Sequence, residues 1–171
     1  MINEINGRER WQVPEHWMSC GITHQSLGQN FQARMNTSTF NQPPRRWLLV
    51  DDDFATLRVL ERLLRRLTNA AIECHHSAET ALAAFAAQPE AYELVITDFQ
   101  MPDLNGVELC RQLRQVSVGP KIFLATGSGC FSEESARAAG FDALLDKPFA
   151  LTDLQAALAN AGLATAHSCL A

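Results

Sequence analysis

Acidic side chains stand at the ends of two stretches that the sequence predicts to be buried strands. The apolar run WLLV at residues 47–50 leads directly into Asp51–Asp53, and the run ELVIT at residues 93–97 leads into Asp98. Carboxylates that lie close together raise one another's pKa, so a cluster of them needs a compensating positive charge. Mg²⁺ supplies such a charge, because it binds one or two carboxylates together with waters and phosphate oxygens. These residues therefore predict a site for Mg²⁺ or Mn²⁺.

A hydroxyl group and an ammonium group stand at two further predicted strand ends. Thr126 closes the segment KIFLAT, and Lys147 follows the segment ALLD. Lys147 is one of only two lysines in the chain, so it is not one of many surface lysines. Carboxylates, a divalent cation, a hydroxyl and an ammonium group together suit phosphoryl transfer, in which charge on the transferred group has to be stabilised.

The elements that would position these groups alternate regularly from Trp47 onward. Short apolar runs alternate with stretches of helical periodicity or helix-favouring composition. The predicted strands are residues 47–50, 71–75, 93–97, 121–126 and 143–146, and the predicted helices are residues 57–67, 77–88, 106–115, 132–140 and 151–162. This alternation predicts an α/β fold with a five-stranded parallel sheet and helices on both faces. In such sheets the functional site lies outside the carboxyl ends of the strands.

Two of these helices carry signals at their starts. Leucines recur at helical spacing over residues 57–67 and arginines take the opposite face, as in an amphipathic helix. We expect Asp53 to support the turn or the start of this helix rather than to bind metal. At the last helix, Thr152 and Gln155 have the spacing of a capping box.

Residues 1–45 differ in composition from the rest of the chain. They are rich in Asn, Gln, Ser and Thr, and their hydrophobic residues lack a period. We expect a mostly irregular extension with a short helix near residues 14–20, and Met35 leaves a later start of translation open. The predicted domain then covers residues 46–165, and residues 166–171 form a tail.

Three possible metal ligands in the extension leave two interpretations open. His16, Cys20 and His24 are spaced by four residues, so a helix would place them on one face, as a metal site requires. Gly21 interrupts that face, a fourth ligand is missing, and Trp17 favours packing instead.

Charge and cysteine usage exclude several classes of protein. Residues 1–46 carry five arginines and three acidic residues, a net of +2, whereas residues 47–171 carry nine basic and sixteen acidic residues, a net of −7. The negative net charge of residues 47–171 does not favour nucleic-acid binding. The chain has five cysteines, without a CxxC pair, and no secretory signal, which predicts a cytoplasmic protein with reduced thiols. It also has no run of 18 apolar residues, so we expect no segment that crosses the membrane.

Four segments, in order, resemble one known family. LLVDDDF, LVITDFQMPDLNGVEL, FLATG and LLDKPF resemble the motifs of the receiver domain of bacterial two-component response regulators. The resemblance covers about residues 46–165. It implies a flavodoxin-like (βα)5 fold with strand order 2-1-3-4-5, and a protein that takes part in signalling rather than acting as an enzyme on other substrates.

The resemblance also implies a role for each site residue. Asp98 would be the phosphoacceptor, which receives its phosphoryl group from a histidine kinase or a histidine phosphotransfer protein. Asp52 and Asp98 would bind the metal directly with the main-chain carbonyl of Gln100, and Asp51 would act through a metal-bound water.

Lys147 and Thr126 would contact the phosphoryl oxygens, and the peptide bond between Lys147 and Pro148 would be cis. In the family, phosphorylation changes the face formed by the fourth helix, the fifth strand and the fifth helix. An unknown downstream protein would bind this face in the phosphorylated state. The same helices could also form a homodimer interface, and the sequence does not decide this. The family usually has an aromatic residue three positions before the lysine, where this chain has Leu144, so the usual threonine–aromatic coupling cannot operate here.

Three functions follow in order of preference. The first is a single-domain receiver controlled by phosphorylation, and the second is a pseudo-receiver that binds partners without phosphorylation. The third is a phosphohydrolase of the haloacid dehalogenase type, which also uses an Asp-x-Asp after its first strand. That family usually has Thr or Val where this chain has Ala55, and it needs an acidic pair after the lysine, where only Asp153 remains.

Overall fold

A computed structural model describes residues 3–5, 8–10, 45–102, 104–127, 129 and 131–163. The chain divides into two units, Met1–Gln42 and Pro43–Ala171. In the first unit, strand β1 (Asn3–Ile5) pairs antiparallel with strand β2 (Arg8–Arg10). This short hairpin was not predicted for a mostly irregular extension. The predicted helix near residues 14–20, the possible ligands His16, Cys20 and His24, and the tail 166–171 lie outside the described residues.

The second unit alternates strands and helices as the sequence predicts. Its strands are β3 (Arg46–Val50), β4 (Ala71–His75), β5 (Tyr92–Asp98), β6 (Lys121–Gly127) and β7 (Ala143–Lys147). Its helices are α1 (Phe54–Leu64), α2 (Ala78–Ala87), α3 (Gly106–Val116), α4 (Glu133–Ala138) and α5 (Leu151–Asn160), and a 3₁₀ turn (Pro89–Ala91) precedes β5.

The five strands form one parallel sheet in the order β4-β3-β5-β6-β7. This is the 2-1-3-4-5 order of a flavodoxin-like fold, so the predicted fold is confirmed. Because β3 and β5 are neighbours and β6 follows, the carboxyl ends of three site-bearing strands lie side by side at one edge of the sheet.

Apolar residues cover both faces of this sheet. Trp47 and Leu49 of β3 belong to a cluster with α1 and α5, whereas Leu48 and Val50 belong to a cluster with α2, α3 and α4. Successive residues of a strand point to opposite faces, so both sets are buried at once. This double burial explains why the central strands are continuous apolar runs rather than alternating ones.

The helix starts agree with the sequence at α1 and differ at α5. Asp53 is the N-cap of α1, and its carboxylate accepts hydrogen bonds from the backbone N–H groups of Ala55 and Thr56, which confirms the expected role. The predicted capping box at Thr152 is wrong, because α5 begins at Leu151 and its N-cap is Ala150, which makes no side-chain cap. Thr152 is therefore already inside the first turn, where its hydroxyl donates to the carboxylate of Asp153.

Within the ranges given above, the model contains no helix that has both the length and the apolar character needed to cross a membrane.

Candidate functional site

Three carboxylates meet at the carboxyl ends of β3 and β5. The side chains of Asp51 and Asp98 are buried, with residue exposures of 3% and 7%, whereas Asp52 is exposed. Val50 pairs with Thr97 in the parallel register, so the residues that follow them lie next to each other. One carboxylate oxygen from each aspartate lies within 4.8 Å of the others. The structure thus brings together residues that are separated by almost fifty positions in the chain.

Lys147 lies between the two buried carboxylates. Its Nζ donates to Oδ2 of Asp51 at 2.7 Å and to Oδ1 of Asp98 at 2.5 Å, and its side chain is 23% exposed. The sequence predicted a lysine at this edge but not a bridge between two carboxylates. The Lys147–Pro148 peptide bond is cis, as the resemblance implies.

Burial and pairing set the protonation of this cluster. Burial raises the pKa of Asp51 above its ordinary value, although the hydrogen bond from Lys147 opposes the shift. Burial would lower the pKa of Lys147, but its hydrogen bonds to Asp51 and Asp98 outweigh burial and leave the pKa raised. Lys147 therefore remains an ammonium ion across the neutral range. With Asp51, Asp52 and Asp98 ionised, three negative charges and one positive charge leave a net of −2, which a divalent cation would neutralise.

Backbone N–H groups hold the other carboxylate oxygens in place. The N–H of Asp53 donates to Oδ1 of Asp51 at 2.9 Å, and the N–H of Gln100 donates to Oδ2 of Asp98 at 2.8 Å. Both buried carboxylates are thus fixed on each side, and their remaining lone pairs are free to accept further ligands. The proposed metal contact of the Gln100 carbonyl stays a prediction.

Thr126 and Leu144 lie on β6 and β7, further along the sheet. Thr126 is buried at the carboxyl end of β6, and the neighbouring Ala125 pairs with Asp98. Among the residues that the structure describes, the Thr126 hydroxyl has only a long contact of 3.5 Å, with the carbonyl of Gly127, so it can donate elsewhere. Leu144 is half-buried and lines a groove of about 360 Å³ between α4, β7 and α5.

Gly106 supports the phosphoacceptor segment in a way that sequence reasoning missed. A Cβ atom at this position would lie 2.2 Å from the main-chain oxygen of Asp98. The N–H of Gly106 also donates to the carbonyl of Phe99 at 3.0 Å. Helix α3 therefore begins directly against the backbone of Asp98, and only a residue without a side chain allows this approach. A glycine at the start of a predicted helix was the available signal.

We expect Gly106→Ala to lower the free energy of unfolding by about 1–3 kcal/mol, because the added methyl group overpacks against backbone that cannot rotate away. Urea unfolding followed by circular dichroism measures the change. Gly119→Ala is the control, because there the nearest atom is 3.6 Å from the added Cβ, an ordinary contact. Equal stabilities of the two variants would contradict the close approach.

The fold and the aspartate cluster define a receiver-type signalling domain, and comparison with known proteins agrees. The model of the response regulator receiver domain matches residues 47–159, so the chain belongs to the response regulator receiver family. The response regulator MprA of Mycolicibacterium vanbaalenii is 39% identical over 115 residues, which are 66% of this chain and 48% of MprA. The chain spans about half the length of the curated relatives it matches.

Solved structures show the same fold. The crystal structure of a receiver domain protein from Clostridium thermocellum superposes with a TM-score of 0.63 and 26% identity, over 68% of this chain and 93% of that one. The receiver domain of Ssk1 in its co-crystal with Ypd1, a histidine phosphotransfer signalling protein of Saccharomyces cerevisiae, has a TM-score of 0.57 and 21% identity, over 66% of this chain and 85% of that one.

Membership of this family settles the broad class of the protein. Receiver domains are signalling phosphoacceptors of two-component systems, bind Mg²⁺ at an aspartate cluster, and interact with histidine kinases or phosphotransfer proteins. The phosphohydrolase interpretation is therefore discarded. The all-oxygen donor set at Asp51, Asp52 and Asp98 fits a hard divalent cation.

Proposed function

We propose that Asp98 accepts a phosphoryl group from the phosphohistidine of a histidine kinase or phosphotransfer protein, in a reaction that requires Mg²⁺. The observation that carries this proposal is the cluster itself. Asp98 is a buried carboxylate that shares Lys147 with Asp51 and lies within ligand distance of Asp52. A net charge of −2 in a largely buried site has no structural benefit by itself, because burying unneutralised charge is costly.

The chemistry assigns a task to each residue. An oxygen of Asp98 forms a bond to phosphorus while the P–N bond of the donor breaks, and the electron pair of that bond stays on the imidazole nitrogen. Asp52, Asp98 and the carbonyl of Gln100 would hold Mg²⁺ directly, and Asp51 would act through a bound water. The bound ion supplies positive charge beside the transferred group.

Lys147 and Thr126 would stabilise the transferred phosphoryl group. Lys147 already touches Asp98, so its ammonium group needs to move only a short distance to donate to a phosphoryl oxygen. Thr126 lies one residue before the end of the neighbouring strand β6, and among the described residues its hydroxyl makes only the long contact with the Gly127 carbonyl. Both groups would donate hydrogen bonds to the oxygens of the transferred phosphoryl group. These oxygens carry negative charge once the group is bound to the protein.

The phosphorylated state would be read by a downstream protein at the face formed by α4, β7 and α5. The groove at Leu144 lies on this face, and Leu144 is smaller than the aromatic residue usual in the family, so output would not rely on an aromatic side chain changing its position. A homodimer through this face is a further proposal. The single-domain organisation stays an expectation, since the curated relatives are about twice as long as the matched segment.

The test is to incubate the protein with acetyl phosphate in the presence of Mg²⁺ or of EDTA, and to follow its intact mass. We expect the addition of one phosphoryl group with Mg²⁺ and none with EDTA, because three carboxylates repel an incoming phosphate without a cation. The absence of any addition, or an equal addition with EDTA, would refute the proposal.

Leu144 favours one competing function, a pseudo-receiver that binds partners without phosphorylation. Its signature would be the absence of Mg²⁺ binding in a calorimetric titration, with no mass added by acetyl phosphate. The acidic cluster and Lys147 argue against this alternative, because a domain that needs no metal has no use for a net charge of −2 at this edge.

A further inference from the structure

Two aromatic rings connect the phosphoacceptor segment with the start of α4. Phe99 follows Asp98 directly, and Phe131 precedes Ser132, the N-cap of α4. The centres of the two rings lie 5.1 Å apart, and the ring planes are tilted by 54°. Aromatic pairs at such distances stabilise a fold beyond the effect of burial alone. We call this pair of side chains the Phe99–Phe131 contact.

The Phe99 side of this contact is fixed to the site. The N–H of Phe99 donates to the carbonyl of Ala125 at 3.0 Å, and its carbonyl accepts from the N–H of Gly106 at 3.0 Å. The next residue, Gln100, donates its N–H to the carboxylate of Asp98 at 2.8 Å. A phosphoryl group on Asp98 would change the acceptor that this N–H meets. The modification therefore acts on the backbone on both sides of Phe99.

The start of α4 depends on the Phe131 ring. Ala136 is the only buried residue among the six of this helix, so the helix itself contributes little to the core. Phe131 stands directly before the N-cap, a position from which an apolar side chain packs against the fourth residue of the helix, here Ala136. Both residues belong to the apolar cluster on this face of the sheet. A helix with so few buried contacts opens at a low cost in free energy.

The end of α4 is fixed away from the site. The guanidinium of Arg114 on α3 donates to the carbonyl of Gly140 at 3.1 and 3.3 Å and to the carboxylate of Asp142 at 2.7 Å. Phe141, which is 4% exposed, anchors the same part of the chain in the core. These contacts lie before the amino end of β7, whereas the aspartates lie at the carboxyl edge of the sheet. A change at Asp98 therefore acts on the start of α4 rather than on its end.

We propose that the Phe99–Phe131 contact carries the phosphorylation state of Asp98 to α4, and that it does so in place of the aromatic residue that this chain lacks at Leu144. This inference rests on the proposed function, because it needs a phosphoryl group on Asp98. The order of the groups along the chain supports it. Thr126 precedes Phe131 by five positions, and among the described residues its hydroxyl makes only a long contact.

The contact would make α4 more ordered after phosphorylation. Once Thr126 donates to a phosphoryl oxygen, the chain that leads into α4 is attached to the phosphoacceptor segment at two points, at Thr126 and at Phe131. In the unmodified protein only the contact between the rings attaches it. Neither ring has to change its rotamer, because the contact couples two backbone segments. Without the Phe131 ring, an attachment at Thr126 would not extend to the start of the helix.

The test compares amide hydrogen exchange in α4 with and without beryllofluoride and Mg²⁺. Beryllofluoride takes the place of a phosphoryl group on a carboxylate, and fluorine NMR confirms its binding in each variant. The N–H groups of Ala136 and Ala139 donate to the carbonyls of Ser132 and Ser135, so their exchange reports the opening of α4. We expect exchange at least ~2-fold slower in the wild type with beryllofluoride, the lower end of what one added hydrogen bond contributes to stability.

Variants of the two rings identify the contact. Phe131→Leu and Phe99→Leu should each speed exchange in the free protein and bring the ratio of the exchange rates without and with beryllofluoride close to one. The double variant should lose nothing further, because both substitutions remove the same contact. Phe141→Leu is the matched control, since it makes the same substitution at the other end of α4. It should speed exchange in both states and keep the wild-type ratio.

A purely structural role of Phe131 predicts a different result. Phe131→Leu would then speed exchange equally in both states, the ratio would stay at its wild-type value, and the proposal would be overturned. The same conclusion would follow from an equal loss of the ratio in Phe141→Leu, or from wild-type exchange that bound beryllofluoride does not slow. Failure of Phe131→Leu to bind beryllofluoride would assign the ring to the site itself and would also overturn the proposal.

Acetyl phosphate separates this proposal from the proposed function. Phe131→Leu should gain one phosphoryl group in the presence of Mg²⁺, as the wild type does, because the substitution leaves every proposed metal ligand and phosphoryl contact in place. If neither acetyl phosphate nor beryllofluoride modifies the wild type, the proposed function fails and this proposal fails with it. If both modify the wild type but the ratio of exchange rates does not depend on Phe131, only the proposal for the Phe99–Phe131 contact fails.

Discussion

Asp98→Asn is expected to abolish Mg²⁺-dependent phosphorylation of the protein by acetyl phosphate. The amide that replaces the carboxylate cannot act as the nucleophile, and the substitution removes one of the two carboxylates proposed to hold Mg²⁺ directly. Loss of a nucleophile typically lowers rates by a factor on the order of 10⁴ or more. Because Asn has the same shape as Asp and Lys147 keeps Asp51 as a partner, the variant should still fold. Intact-mass spectrometry after reaction measures the result.

The matched control for this variant is Asp146→Asn. Asp146 also lies near the carboxyl edge of the sheet, on β7, but it is exposed. The substitution removes the same charge from the same region, so a general electrostatic effect would appear in both variants. We expect normal labelling of Asp146→Asn. Equal labelling of Asp98→Asn and the wild type would show that another residue accepts the phosphoryl group.

Asp52→Ala and Asp53→Ala are expected to separate the roles of two adjacent aspartates. Asp52 is exposed, belongs to the three-carboxylate cluster, and has no hydrogen-bond partner within the described residues. Its loss should therefore abolish Mg²⁺-dependent labelling and leave stability almost unchanged. Asp53 accepts a 2.7 Å hydrogen bond from the hydroxyl of Thr56 and caps α1. Its loss should lower the thermal midpoint by a few degrees while labelling continues.

The effect of Asp53→Ala should depend on pH. Hydrogen bonds from the hydroxyl of Thr56 and the N–H of Ala55 lower the pKa of Asp53 below its ordinary value of 3.8. A carboxyl whose pKa is lower in the folded state stabilises that state above the ordinary value, and this contribution is lost as the pH falls through the folded-state pKa. The difference in thermal midpoint between Asp53→Ala and the wild type should thus be full at pH 6 and shrink below pH 3.8.

The opposite pattern would change the assignment of the site. If Asp53→Ala abolished labelling and Asp52→Ala only destabilised the fold, the metal-binding register would have to shift by one residue. Magnesium binding by calorimetry provides an independent check, because only the variant that loses a ligand should bind the ion more weakly.

Much of the architecture could be predicted from local patterns. The strand AIECH was predicted with the bounds that the structure has, Ala71–His75, and helix α3 differs from its prediction by one residue. Asp53 was expected at the start of α1 and is found there as its cap. These features depend on residues that are at most a few positions apart, so the local sequence is enough to predict them.

Other features could not be predicted because they depend on distant residues. The bridge from Lys147 to Asp51 joins residues 96 positions apart, and the bridge to Asp98 joins residues 49 apart. The close approach of Gly106 to the Asp98 carbonyl depends on how α3 packs against the sheet. The failed capping box at Thr152 shows the same limit, because its motif was present but the helix begins two residues earlier than that motif requires.

The sequence by itself therefore determined the alternation of strands and helices, the polar residue at each strand end and the cap of α1. Each of these follows from side-chain periodicity or from hydrogen bonds between near neighbours. Only the tertiary structure decided that one ammonium group donates hydrogen bonds to two buried carboxylates. Parallel strand pairing brings distant strand ends to within a few ångströms, and the resulting charge balance belongs to the assembled sheet rather than to any single segment.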